Sequence, residues 1–180
     1  MTREKVAVFI DGSNLYYKLK DLEIQHTTEF NYLGLAKKLA RDRDMVYLGY
    51  YVGAVRAKPG DVKSESLRKS QRIFFNLLRK AGIVIKKGYL LESGGKYHEK
   101  GVDVQIATDL LIGAYENQYD IALLISSDND LIPAIKKICS LGKQVDYIGF
   151  SHKPSFGLIQ EASRSYLLPR EELEEYVHQE

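Results

Sequence analysis

Short apolar runs alternate with amphipathic segments along the whole chain. The uninterrupted apolar runs at 6–10 and 121–125 are typical of strands buried on both faces of a parallel sheet. Further strands are predicted at 45–55, 83–85 and 145–149, and the segment 88–91 either extends the third strand or pairs with it. Helical spacing of apolar residues and helix-ending glycines predict helices at 14–22, 32–40, 64–81, 102–115, 131–141, 156–162 and 170–178.

This order of elements predicts the fold class. Strands that alternate with helices favour right-handed crossovers and a mostly parallel sheet with helices on both faces. We therefore expect a single-domain, three-layer α/β fold with about five strands, the first and fourth adjacent at the centre of the sheet. The domain is predicted to span 1–180, with a core at about 5–150 and a C-terminal helical extension at 151–180.

Composition narrows the class of protein. No apolar run approaches the roughly 20 residues that a membrane helix needs, so no membrane partner is expected. The only cysteine, Cys139, excludes an internal disulfide and a thiolate-rich zinc site. Together these features favour the reducing environment of the cytoplasm.

Acidic residues follow the two most apolar strands. Asp11 comes directly after the first, and Asp128 and Asp130 come after the fourth. Because the carboxyl ends of parallel strands meet at one edge of the sheet, these carboxylates are expected to face each other. Such a cluster repels itself unless protons or a cation neutralise it, and hard oxygen ligands suit Mg²⁺ or Mn²⁺. The pattern therefore predicts a divalent metal site.

Each candidate side chain also has a purely structural interpretation. Asp11 and Asp130 could instead cap the helices that follow them, and Asp103 could simply stabilise the start of its helix. Asn14 could cap a helix, or it could bind a phosphate or a metal-bound water. Asp109 lies on a different helix face from Asp103, so we expect it to support the site indirectly or to pair with a basic residue.

Basic residues surround the acidic segments, although the net charge is only +2. This arrangement suits a polyanion held by its phosphates, and solvated helix faces are the alternative. Along the 64–81 helix, Arg68 and Arg72 are predicted to face solvent or a ligand. An apolar stripe of the same helix is predicted to pack on the sheet and consists of Leu67, Phe74, Leu77, Leu78 and Ala81. The remaining candidates for substrate contact are Arg56, Lys58 and Lys100, with Tyr16 or Tyr17 available to stack a base.

Three blocks carry a resemblance to a known family. They are FIDGSN at 9–14, KGVDV at 100–104 and LISSDND at 124–130. In this order and at these separations they resemble the NYN domain, a member of the PIN-like ribonucleases that includes the LabA-like bacterial proteins. The chain has Ser127 where that family commonly has glycine, and Leu131 where it often has phenylalanine.

The resemblance implies a PIN-like fold and metal-dependent cleavage of RNA. It assigns Asp11, Asp103, Asp128 and Asp130 as catalytic residues and as ligands of Mg²⁺ or Mn²⁺. Residues expected to contact the substrate are Asn14, Lys100, Ser127, Arg68 and Arg72, while Ser126 and Asp109 are expected to support the acids.

Two main functions follow as hypotheses. The first is a ribonuclease that hydrolyses phosphodiester bonds, and the alternative is an RNA-binding or regulatory module with little or no turnover. A phosphotransferase of the aspartyl-phosphate type is disfavoured, because such enzymes need a second Asp at the position of Ser13. A homodimer is also possible, with Phe150, Phe156 and Tyr166 either forming its surface or covering the edge of the sheet.

Overall fold

The computed structural model describes residues 3–24, 27–55, 60–93 and 96–177. The strands are β1 (Lys5–Asp11), β2 (Asp44–Ala54), β3 (Val84–Ser93), β4 (Lys96–Lys100), β5 (Ile121–Ile125), β6 (Gln144–Phe150) and β7 (Arg164–Leu168). The helices are α1 (Gly12–Asp21), α2 (Tyr32–Ala40), α3 (Val62–Lys80), α4 (Val102–Tyr115), α5 (Ile132–Ser140), α6 (Phe156–Glu161) and α7 (Arg170–Glu174). A single 3₁₀ turn, Asn129–Leu131, precedes α5.

The strands form one sheet in the order β4-β3-β2-β1-β5-β6-β7. Six of them are parallel and β4 is antiparallel to β3. This confirms the predicted α/β class and the central pairing of β1 with β5, in which Ile10 lies opposite Ile125. Both strands are apolar on each face because helices cover both sides of the sheet, which leaves no solvent-facing side.

The sheet has more strands than the five predicted. The additional strands, β4 and β7, lie at its two edges. The sequence of β4, KYHEK, is mostly polar, and the first three residues of β7 are exposed. Neither has the apolar run by which a buried strand is recognised, since an edge strand is not enclosed by neighbours on both sides. The predicted helical extension therefore also contributes a strand to the sheet.

Helices cover the two faces of the sheet in two groups. On one face α1, α2, α3 and α7 form a core cluster that includes Leu15, Leu35 and Leu78. On the other face α4, α5 and α6 form a second cluster, which includes Ile106 and Leu158. Because α1 and α4 lie on opposite faces, the ends of these helices can approach the same sheet edge from both sides.

Helix α3 packs differently from the predicted stripe. Leu67 and Leu77 are 50% and 51% exposed, whereas Phe75 and Leu78 are buried. The side chain of Gln71 fixes the rotation of the helix, because it accepts from the Val55 backbone N–H and donates to the Gly53 carbonyl, both at 2.9 Å. These bonds hold the middle of α3 against the carboxyl end of β2 and turn the expected stripe partly toward solvent.

Candidate functional site

Asp11 lies at the carboxyl end of β1, between β2 and β5, and is only 4% exposed. Its Oδ1 accepts a hydrogen bond from the Asn14 backbone N–H at 3.0 Å, so it caps α1. Its Oδ2 accepts from the Ser126 hydroxyl at 2.9 Å. The capping role considered from the sequence is therefore present, and the same carboxylate also joins the end of β5.

The turn into α1 requires a glycine after Asp11. A Cβ atom on Gly12 would lie 2.4 Å from Cε1 of Tyr50, a core side chain that is 3% exposed. Such an approach is far inside van der Waals contact, so a larger residue here would displace Tyr50. Gly12 thus allows α1 to begin directly after Asp11 and holds the carboxylate at the edge of the sheet.

A second acidic turn follows β5 and is hydrogen-bonded to Asp11 through Ser126. The hydroxyl of Ser126, which donates to Asp11, accepts from the Asp128 backbone N–H at 3.1 Å. Oδ1 of Asp128 accepts from the Asp130 backbone N–H at 2.8 Å and caps the 3₁₀ turn. Asp128 therefore makes the cap that was considered for Asp130, whose own side chain is exposed. We call the chain of bonds through Asp11, Ser126 and Asp128 the acidic network.

Asp103 approaches from the other face of the sheet. It is the second residue of α4, half-buried, and follows Gly101, whose φ of 80° is in the left-handed region that favours glycine. Helix α4 packs against the 3₁₀ turn, and Val102 and Leu131 share one core cluster. This packing brings the start of α4 next to the turn that carries Asp128 and Asp130.

Two buried oxygens beside the acidic network have no hydrogen-bond partner in the described part of the chain. They are Oδ1 of Asn14 and Oγ of Ser127. An unsatisfied buried polar atom costs about 1–3 kcal/mol, so native structures retain few of them. Both residues were predicted to contact the substrate, and both retain hydrogen-bonding capacity for a ligand.

The donor chemistry of this region fits a hard divalent cation. Carboxylate, amide and hydroxyl oxygens are the ligands that Mg²⁺ and Mn²⁺ prefer. Nevertheless, no three His, Cys, Asp or Glu side chains form a group that could hold a metal ion within residues 3–24, 27–55, 60–93 and 96–177. The sharing of one ion by Asp11, Asp103, Asp128 and Asp130 therefore stays a prediction.

Asp109 belongs to a different network. Its carboxylate accepts from the Tyr51 hydroxyl at 2.9 Å and from Nε2 of Gln105 at 2.8 Å, and Nζ of Lys86 lies 3.3 Å away. Burial raises the pKa of Tyr51, so this phenol remains a proton donor. Of the two roles expected for Asp109, the structure shows the pairing with a basic residue.

The basic candidates that the structure describes lie at the surface of the protein. Arg68 and Arg72 are exposed, one turn apart on α3, and flank the Gln71 anchor. Lys100 is exposed at the end of β4, directly before the glycine that starts α4. The predicted contacts Arg56 and Lys58 lie outside the described residues.

Sequence reasoning missed the loop after β6. Ser155 caps α6, and its hydroxyl donates to Oδ1 of Asn129 at 2.6 Å, so the loop reaches the acidic turn. On its other side, Nζ of Lys18 in α1 donates to the Lys153 carbonyl at 2.9 Å. The serine preceding an apolar helical segment is an N-cap signal, but nothing in its spacing indicates which strand end it contacts.

A parallel α/β sheet with an acidic network at the carboxyl end of its central strands is typical of PIN-like nucleases. The NYN domain model matches residues 5–168, nearly the whole chain, and the chain belongs to this family. NYN domains are in general nuclease domains of the ribonuclease type. No curated protein matches the sequence.

A solved structure has the same fold. It is the crystal structure of a protein of unknown function, VPA0982, from Vibrio parahaemolyticus, which is 24% identical. The alignment covers 92% of this chain and 93% of that one, with a TM-score of 0.68. This similarity supports the fold alone. Among the described residues, no helix is both long and apolar enough to cross a membrane.

Proposed function

We propose that the protein is a metal-dependent ribonuclease that hydrolyses RNA phosphodiester bonds at the acidic network. The observation that carries this proposal is the hydrogen-bonded chain from Asp11 through Ser126 to Asp128. It joins two acidic turns of different strands at the sheet edge where α/β proteins bind ligands. Membership of a family of nucleases supports the same reaction class.

Within this proposal, Asp11 and Asp128 are the principal metal ligands, and Asp103 and Asp130 complete the set. Mg²⁺ or Mn²⁺, when bound, supplies charge neutralisation at the phosphate and lowers the pKa of a bound water. The role of Ser126 is to hold Asp11 and the Asp128 backbone in a fixed relative position, since its hydroxyl bonds both. Preorganisation of this kind avoids rearrangement during the reaction.

We assign ligand-binding roles to the two buried oxygens that have no hydrogen-bond partner among the described residues. Oδ1 of Asn14 can only accept, so it suits the hydrogen of a bound water. The hydroxyl of Ser127 can donate, so it suits a nonbridging phosphate oxygen. Ser127 occupies the position where glycine is common in the family, and the hydroxyl is therefore an addition to the site.

The exposed cations supply affinity for the backbone of the RNA. Arg68, Arg72 and Lys100 stand on elements that end or begin at the same sheet edge as Asp11. Phosphate contacts by such side chains position a polyanion without reading its sequence.

The deciding experiment is cleavage of a 5′-labelled single-stranded RNA with Mg²⁺, with Mn²⁺ and with chelator. The proposal requires cleavage by the wild-type protein that chelation stops and Asp128→Asn reduces at least about 100-fold, or about 2.7 kcal/mol. Asp120→Asn, which changes an aspartate at the opposite sheet edge, is the matched control and should leave cleavage unchanged. Metal-dependent cleavage that survives Asp128→Asn would place the reaction elsewhere.

A second function has an observation in its favour. The exposed cations Arg68, Arg72 and Lys100 would serve equally well in an RNA-binding or regulatory module with little turnover. Retention of the RNA without cleavage in either metal would select this alternative.

The structure changes the set of residues that could form the surface of a homodimer. Phe150 is fully buried in the core, whereas Phe156 and Tyr166 are 78% and 40% exposed, so only these two members of the suggested patch are available at the surface. Sedimentation at two protein concentrations tests the oligomeric state.

A further inference from the structure

Phe156, the first residue of α6, has an unusually exposed ring. It is 78% exposed, the highest value among the described aromatic side chains. The ring has no hydrogen-bonding group, and no other ring of the described residues contacts it. Exposed single apolar residues are common on proteins, so exposure alone does not indicate a binding role. The location of Phe156 supplies the further argument.

The backbone that carries Phe156 is firmly held against the acidic turn. Ser155 donates from its hydroxyl to Oδ1 of Asn129 at 2.6 Å, and its N–H donates to the Tyr147 hydroxyl at 3.1 Å. On the other side of Phe156, a Cβ atom on Gly157 would lie 2.7 Å from the same Asn129 oxygen. Since Asn129 separates Asp128 from Asp130, the backbone on both sides of Phe156 is held against the turn that contains two of the proposed metal ligands.

Two lysines lie next to this support. Nζ of Lys18 donates to the Lys153 carbonyl at 2.9 Å, and Nζ of Lys153 pairs with Asp21 at 3.5 Å. Burial lowers the pKa of Lys18; Asp21 opposes this shift and the charge of Lys153 adds to it. A phosphate at this position would favour the charged form of Lys18. The surroundings of Phe156 thus contain an apolar ring and two lysine ammonium groups, of which that of Lys153 is paired with Asp21.

We propose that Phe156 is a stacking platform for an unpaired base of the RNA bound at the acidic network. This inference rests on the proposed function and names a residue that holds its substrate. Aromatic side chains bind bases of any sequence, because every base has a π-face. Bases inside a duplex are already stacked and paired, so their faces are unavailable to the ring.

The chain contains no tryptophan, so Phe156→Trp introduces a single fluorescent reporter at the proposed platform. Titration compares single-stranded RNA, a duplex of the same length and an abasic strand with the same number of phosphates. Single-stranded RNA should quench the fluorescence and saturate, and the abasic strand should bind about tenfold more weakly with little quenching. Tyr115→Trp is the matched control, because Tyr115 is 61% exposed but lies at the far end of α4.

Kinetics provide an independent measurement. Phe156→Ala should raise KM for single-stranded RNA about tenfold and leave kcat nearly unchanged, because stacking contributes equally to ground and transition states. Phe156→Tyr should restore the wild-type KM. Circular dichroism is the control that checks whether each substitution at Phe156 leaves the fold intact.

The outcomes separate this inference from the proposed function. Quenching by single-stranded RNA without any cleavage would support the platform and contradict the nuclease. Cleavage with an unchanged KM in Phe156→Ala, and equal quenching by single strands, duplex and abasic strand, would contradict the platform and leave the nuclease standing.

Discussion

Aspartates at the amino ends of the parallel strands have different partners from aspartates at the carboxyl ends. We call these two sides of the sheet the amino edge and the carboxyl edge. At the amino edge, Asp120 accepts from the Lys5 N–H at 2.9 Å and pairs with Lys143 at 3.3 Å, and Asp146 pairs with Arg43 at 3.4 Å. At the carboxyl edge, Asp128 and Asp130 form no ion pair with any side chain in the described part of the chain.

This difference distinguishes carboxylates that stabilise the fold from carboxylates that remain available to a ligand. A carboxylate beside a lysine or arginine is already neutralised, and a metal would have to displace that cation. Oδ1 of Asp128 instead accepts from the Asp130 N–H, and this carboxylate retains lone pairs for a ligand. We therefore expect the proposed chemistry at the carboxyl ends of the strands, even though a cavity of about 400 Å³ lies at their amino ends around Asp146.

The largest expected effect is the loss of cleavage in Asp11→Asn. The substitution keeps an oxygen that can cap α1 but removes the charge, so cleavage should fall about 1000-fold or more, about 4 kcal/mol, while the thermal midpoint changes little. Single-turnover cleavage and thermal unfolding measure the two properties. A folded variant with near wild-type cleavage would exclude Asp11 from the mechanism. It would also contradict the proposed difference between carboxylates that stabilise the fold and carboxylates that bind a ligand.

At the amino edge, Asp146→Ala should have the reverse effect. The carboxylate is 8% exposed, and its loss leaves the guanidinium of Arg43 bonded only to the carbonyls of Leu39 and Ala40. Removing one partner of a buried pair is strongly destabilising, and the long 3.4 Å separation suggests about 2–4 kcal/mol. Urea unfolding measures the free energy, and RNA cleavage below the midpoint should be unchanged. An active-site defect without a stability loss would contradict the comparison.

The double change Arg68→Gln and Arg72→Gln tests whether the carboxyl edge attracts phosphates. Both side chains are exposed, so stability should be unaffected. If each contacts one phosphate, the slope of log affinity against log salt should fall by about 1–2. The matched control is Arg79→Gln at the other end of α3, where Nη1 bonds to Asn76 at 3.1 Å. Equal slopes for all three proteins would assign Arg68 and Arg72 to solvent.

The smallest expected effect concerns the pH dependence of stability. The Lys5 N–H, followed by the Lys143 bond, lowers the pKa of Asp120 in the folded protein. Because the folded pKa lies below the unfolded value of about 3.9, this stabilisation is present above pH 4 and is lost as pH falls through the folded pKa. The side chain is about half exposed, so solvent screens the pair, and Asp120→Asn should cost at most about 1 kcal/mol at pH 7 and nothing at low pH. Unfolding at pH 7 and pH 3 measures this difference, and an equal deficit at both would contradict the assignment.

The success of the sequence predictions varies with the kind of element. Central strands such as β1 and β5 could be predicted because burial on both faces demands an uninterrupted apolar run. The edge strands β4 and β7 have no such demand and were missed. On α3, apolar spacing alone did not show that Gln71 sets the rotation of the helix, so Leu67 and Leu77 were wrongly placed against the sheet.

Some contacts of the candidate site could likewise be predicted from the sequence, and others could not. The pairing of Ile10 with Ile125 follows from the alternation of strands and helices, and it brings Asp11 and Ser126 together. The contact between Ser155 and Asn129 joins segments 26 residues apart through side chains alone. No local sequence pattern predicts such a bond, because it depends on the position of the loop after β6 in the folded protein.

The sequence by itself determined the fold class, the central strand pair and the edge at which the acids collect. These features follow from backbone geometry and the burial of apolar runs, which act locally and repeat along the chain. Only the tertiary structure decided that Asp109 pairs with Lys86, that Asp128 rather than Asp130 caps the turn, and that Ser155 contacts this turn. Those outcomes depend on side-chain packing between distant segments, which is specified by the whole core and by no single stretch of sequence.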